Sequence, residues 1–277
     1  MKSILVPIDF SEQAKYAAKV ASDIARLTNS KIFLLHMLEL PTGIIDPSGY
    51  GVSSSNTPSA LLFMKRAHEK FEEFKRLPFL NGIEVEDSVQ FHKAYDGIID
   101  ECKRLNADLI VMGSKGTSGF EEMLVGSNTE KVVRNSEVPV LVIKKEIEHF
   151  KLDNIVFASN FAAEHRKIFQ KILDFASLFN ARLHLLKINT IHNFETTKES
   201  SDAIRNFIND FDLGDYTLNI YNDVSVEAGI LNFSKVTDAD AILLNTSGRR
   251  GLSHLFTGSI GEDLANHAKL PVITFKL

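Results

Sequence analysis

Short, almost uninterrupted runs of Ile, Leu and Val punctuate this chain, separated by stretches of mixed apolar and charged residues. An apolar run of four to eight residues bounded by polar turns is the pattern of a strand covered on both faces, and an apolar period near 3.6 is that of a helix packed along one stripe. The pattern predicts strands near residues 3–8, 31–37, 84–92, 108–113 and 139–144. It predicts five more near 153–158, 181–188, 216–222, 240–245 and 271–276. Helices fall between them, most clearly over 14–27 and 164–179. Strands that alternate with helices imply an α/β fold with a parallel sheet and right-handed crossovers.

The pattern also repeats. Ile4–Phe10 returns as Ile155–Phe161, and Lys31–His36 as Arg182–Lys187. Asp108–Gly116 aligns with Asp240–Gly248, Gly126-Ser127 with Gly258-Ser259, and Val138–Ile143 with Leu270–Phe275. A chain of 277 residues suits about two domains. The repeat places them at 1–147 and 148–277.

One loop carries candidate chemistry. After the strand at 108–113 come Gly113 and Gly116, nine further residues, and then Gly126-Ser127 before a helix expected to open at Asn128. Glycine lets a backbone come close to a ligand or turn sharply. A helix start offers unpaired N–H groups and a positive dipole end, which together suit a phosphate. The spacing is neither that of a P-loop nor G-x-G-x-x-G. Two readings of each residue stay open. The glycines also suit a plain turn, and Ser127 with Glu130 forms a capping-box pattern that needs no ligand. In open α/β sheets ligands lie beyond the C-terminal strand ends, where strand order reverses. Asp9 and Gly113 stand just past the first and fourth strands. Asp9 as the N-cap of the following helix is the alternative.

Composition narrows the classes. Apolar residues at 44% and charged residues at 24% are those of a globular protein. The net charge of −5 is shared almost evenly between the halves, with no basic stripe, so nucleic acid is not an expected partner. The single cysteine, Cys102, excludes an internal disulfide and zinc thiolate chemistry, and reads as a semi-buried inert thiol. No apolar stretch is long enough for a membrane span or a signal peptide, which leads us to expect a cytoplasmic protein. His36 and His184 lie in strand runs and read as satisfied core or edge residues. No catalytic residue or metal ligand set is assigned, and no G-x-S-x-G elbow occurs.

A five-stranded α/β half with the Pro-x-Asp-Phe-Ser motif of Pro7–Ser11 at the end of the first strand, and with G-x2-G-x9-G-S after the fourth, resembles the universal stress protein family. The tandem arrangement is similar to its two-domain members, and the first half to its ATP-binding branch. The resemblance implies Rossmann-like domains of the adenine nucleotide alpha hydrolase type, with strand order 3-2-1-4-5. It also implies that the fifth strands pair antiparallel within the chain, making an internal pseudo-dimer. A site is implied at Pro7, Ile8, Asp9, Met37, Met112, Gly113, Ser114, Lys115, Gly116, Gly126, Ser127 and Asn128. Its ligand would be an adenine nucleotide, ATP or AMP, with Mg2+ as an optional companion and slow hydrolysis at most. The expected role is a stress-response protein whose nucleotide occupancy regulates conformation or an unidentified protein partner. A homodimer of the tandem chain stays open, as do a weak ATPase and a ligand-free scaffold.

The second half departs from this pattern: Asp9 is replaced by Asn160, Pro7 by Ala158 and Gly113 by Asn245, while Gly248, Gly258 and Ser259 remain. A degenerate second site is expected. Residues 41–60, rich in Pro, Gly and Ser, read as a lid over the pocket or as a tolerated insertion.

Overall fold

The structure, a computed structural model, describes residues 1–38, 57–91, 93–114, 126–246 and 268–277. In the first half β1 (Ser3–Pro7), α1 (Glu12–Thr28), β2 (Lys31–Met37), α2 (Thr57–Lys75) and β3 (Val85–Gln90) are followed by α3 (Ala94–Leu105), β4 (Leu109–Gly113), α4 (Ser127–Asn135) and β5 (Val140–Ile143). The second half runs β6 (Asn154–Ala158), α5 (Arg166–Ser177), β7 (Arg182–Asn189), α6 (Thr197–Ile208), β8 (Tyr216–Asn222), α7 (Val226–Val236), β9 (Ala241–Thr246) and β10 (Val272–Lys276).

All ten strands join one sheet in the order β3-β2-β1-β4-β5-β10-β9-β6-β7-β8. Each half therefore has the 3-2-1-4-5 order that the resemblance implies. Pairing is parallel inside each half and antiparallel where β5 meets β10, with Val272 opposite Val142 and Thr274 opposite Val140. The central strands are buried along nearly their whole length, which explains their near-continuous apolar sequence.

Helix α1 shows why local sequence produces this layer. Ala14, Ala17, Ala18, Ala21, Ile24 and Ala25 recur at helical spacing and are buried, so a thin alanine stripe lies close on the sheet. Ser11 caps its start by accepting from the Ala14 N–H, and Asn29 ends it in the left-handed conformation. The second half repeats that ending at Asn180, and both halves place a phenylalanine, Phe10 or Phe161, at positive φ in the turn after the first strand. Aromatic packing holds those two residues, Phe10 against His36 and Phe71, and Phe161 against Phe157 and Phe207. Helix α2 opens at Thr57, so the last four positions of the loop expected over 41–60 are helical. The rest of that stretch lies outside the described residues.

Candidate functional site

The C-terminal ends of β1, β2 and β4 and the start of α4 enclose a cleft of about 170 Å³. Nine of the twelve residues singled out from sequence line it: Pro7, Ile8, Asp9, Met37, Met112, Gly113, Gly126, Ser127 and Asn128. Ser114 is buried just past β4 and does not line the cleft; its carbonyl accepts the Gly126 N–H at 2.6 Å. Lys115 and Gly116 lie outside the described residues. The strand order explains the convergence, because β1 and β4 are adjacent and the crossovers leave in opposite directions from them.

Two contacts pinch the two ends of the loop motif together: the Gly126–Ser114 bond, and Thr129 Oγ1 donating to the Gly113 carbonyl at 3.0 Å. Sequence reading missed Thr129. Nothing in its local pattern separates it from an ordinary first-turn threonine, and its role appears only when α4 is set against β4.

Helix α4 settles one alternative. Its N-cap is Gly126, with no side-chain capping bond, and Ser127 is the first helical residue. The Ser127–Glu130 capping box therefore does not form. The helix start at Ser127 and Asn128 lines the cleft, and its N-cap, Gly126, has no side chain to close the first N–H groups. Asp9 is not the N-cap of α1 either, since Ser11 fills that position. Instead Asp9 Oδ1 accepts from the Ser11 N–H at 3.0 Å and from the Ser11 hydroxyl at 2.5 Å, which orients the carboxylate at the strand end.

Leu35 and Met37 from β2, Ala94 and Ile98 from α3, Ala14 from α1 and Met112 supply apolar walls. The cleft is thus apolar on one side and polar at Asp9 and the α4 start on the other. That division suits a flat heterocycle joined to an anionic group. Gly113 has a separate task. A Cβ there would stand 2.9 Å from the backbone of Gln13, so the glycine admits the first turn of α1 against β4. Just outside, His36 Nδ1 donates to the Ile8 carbonyl at 2.6 Å, as expected of a satisfied histidine, and burial pushes its pKa down. His184 is likewise satisfied, by Thr217 and Asn154. Cys102 is buried, and burial drives its pKa up to about 11, so the thiol is inert as expected. Among the described residues no cluster of His, Cys, Asp and Glu is arranged to hold a metal.

The corresponding cleft in the second half is about 50 Å³. The chain after β7 folds back into it. Lys187, almost fully buried, pairs with Glu195, whose carboxylate also accepts from Ser200 Oγ at 3.1 Å. Asn189 Nδ2 donates to the Glu195 carbonyl at 3.0 Å. Asn160 keeps the Asp9-like turn, accepting from the Ala162 N–H at 3.1 Å. Asn245, at the Gly113 position, is buried, and its Oδ1 has no hydrogen-bond partner among the described residues. The helix after β6 opens late, at Arg166, through a 3-10 turn at Ala163–His165. Gly248, Gly258 and Ser259 lie outside the described residues.

Comparison with known proteins gives a consistent family. A sequence model of the universal stress protein family matches residues 1–144 and 220–276. Two universal stress proteins of Methanocaldococcus jannaschii are 28% and 29% identical, each over 52% of this chain, with 82% and 96% of their own lengths covered. A crystal structure of a universal stress protein from Archaeoglobus fulgidus superimposes with a TM-score of 0.74 at 21% identity, covering 99% of this chain and 98% of that one. That likeness carries the tandem fold across the whole length.

Proposed function

The chain belongs to the universal stress protein family, and from that premise we propose that its first half binds one adenine nucleotide, ATP or AMP, as a stress-response switch. The reading rests on one observation above the others: Asp9, Gly113 and the uncapped start of α4 at Gly126–Asn128 line a single cleft. Base and ribose would lie along Met37, Leu35 and Asp9, where a carboxylate accepts from hydroxyl or amino groups. The phosphates would meet the N–H groups of Ser127 and Asn128 and the dipole of α4. Lys115 and Gly116 complete the proposed set, and Mg2+ would accompany the phosphates. Occupancy would act on conformation or on a partner protein rather than through turnover. The boundary between the two units is placed at 147/148, inside the segment joining β5 to β6, with a degenerate site in the second.

A charge at the helix start tests this. Ser127 is exposed in the first turn of α4. Ser127→Asp would favour the helix by about 0.5 kcal/mol while setting a carboxylate against the phosphates. The expected result is unchanged or slightly raised thermal stability with at least about tenfold weaker Mg-ATP binding by calorimetry, a loss near 1.4 kcal/mol. Equal affinity in the variant would remove the phosphates from α4.

A further inference from the structure

The two halves are related by a pseudo-twofold axis at the β5–β10 pair, so every groove at their junction has a counterpart. Residue pairs follow from the repeat: Asp23 and Asp174, Ile24 and Phe175, Leu27 and Leu178, Asp108 and Asp240, Pro139 and Pro271. The linker between β5 and β6 fills one of these grooves. Its Phe150 N–H donates to Asp23 Oδ2 at 2.9 Å, and Glu146 pairs with Lys19 at 3.0 Å. Phe150 and Leu152 are buried, the Phe150 ring lying 5.8 Å from that of Phe179. The linker then ends on Asp240, whose Oδ2 accepts from the N–H groups of Asp153 and Asn154 at 2.7 and 2.8 Å.

Two halves are joined only once, so the counterpart groove has no linker. It is a cavity of about 340 Å³, larger than the first-half cleft, lined by Asp108, Val138, Pro139, Asp174, Phe175 and Leu178 among others. Its polar groups repeat the filled groove. Asp108 Oδ2 accepts from the Lys2 and Ser3 N–H groups at 2.5 and 3.1 Å, as Asp240 does on the linker. Asp174 Oδ1 is held by Gln170 at 2.8 Å, as Asp23 Oδ1 is held by Arg26 at 3.4 Å. In the filled groove the other oxygen of that aspartate takes the linker N–H. Lys171 lines the open cavity as well.

We propose that this groove docks an extended segment of a partner protein that repeats the chemistry of the linker. An aromatic side chain of that segment packs on Phe175 and Leu178, its own backbone N–H reaches the Asp174 carboxylate, and a nearby acidic side chain meets Lys171. Apolar contact supplies the affinity, and the aspartate fixes the register, since a charged acceptor rewards a well-placed N–H and penalises its absence.

The probe is a fluorescein-labelled peptide with the sequence of residues 144–153, blocked at both ends, titrated by anisotropy against the whole chain. Saturable one-to-one binding is expected, with a dissociation constant on the order of 10–100 μM. Asp174→Ala, at an exposed position, should weaken it about tenfold. Leu178→Glu, at a half-buried position, should abolish it. A scrambled peptide should not bind. No saturation below about 1 mM, equal binding by the scrambled peptide, or binding untouched by Asp174→Ala would overturn the proposal. Because Asp174 is exposed, that last arm stands even if Leu178→Glu fails to fold.

Discussion

Gly113 shows how one residue answers to two demands. In the sequence it reads as a place where a backbone nears a ligand, and it does line the cleft. Its closest constraint is nonetheless a helix: a Cβ would stand 2.9 Å from Gln13 backbone atoms, which cannot move aside as a flexible side chain would. Gly113→Ala is therefore expected to cost about 1–3 kcal/mol of stability, the usual penalty for overpacking. Urea denaturation of the variant beside the parent chain measures it, and an unchanged midpoint would mean that α1 shifts freely. The second half replaces this glycine by Asn245 and starts its helix later, by way of a 3-10 turn. That substitution was visible in the sequence, but the reason the first half needs glycine was not. Gln13 and Gly113 are far apart along the chain, and only the fold sets them together. Asp9 and Ser127 were legible as candidates because strand ends and helix starts leave local signatures. Which residue caps which helix was not, since Ser11 takes its position with a hydroxyl that accepts the Ala14 N–H and Gly126 takes its own with backbone alone.

At the scale of elements the pattern of the chain carried most of the fold. Every expected strand is present, with ends within about two residues; the central ones, buried on both faces, leave little sequence ambiguity, while the edge strands β3 and β8 are only partly buried. What the pattern did not reveal is the return of the chain after β7. Lys187 sits within an apolar run and reads as a strand residue, yet its buried ammonium is matched by Glu195 from the following loop. Loop paths leave weak local signals, so the filling of the second cleft was foreseen only as degeneracy at Asn160 and Asn245. Glu195→Ala would leave Lys187 buried without its partner. Since Glu195 is partly exposed, the expected loss is about 2 kcal/mol, below the range for fully buried pairs. Combining it with Lys187→Met should recover most of that loss in thermal unfolding. Neither change is expected to add a second nucleotide site, because Asn245 still fills the Gly113 position.

Over the whole molecule, antiparallel pairing of β5 with β10 turns two domains into one ten-stranded sheet, so their stabilities are linked. Burial lowers the pKa of His36, His165 and His184, and His165 Nδ1 is buried without a partner among the described residues. Their folded values lie below the unfolded ones, so the unfolded chain binds more protons as acid is added. Stability should hold above about pH 6.5 and fall as pH drops through that value toward the lower folded ones. Lys144, pushed down to about 8 by burial, has the same sign on the basic side, so its contribution should rise as pH climbs from about 8 toward 10.5. Chemical denaturation across this range checks both, and a stability unchanged from pH 7 to 5 would contradict the histidine account. No described helix is long and apolar enough to cross a membrane. The asymmetry of the halves is the central claim, with an open polar-ended cleft in the first and a filled one in the second. Calorimetric titration of the whole chain with Mg-ATP tests it most directly. The account predicts one site per chain with affinity near the micromolar range, about −8 kcal/mol. Two sites per chain, or no heat and no bound nucleotide at millimolar ATP, would contradict it.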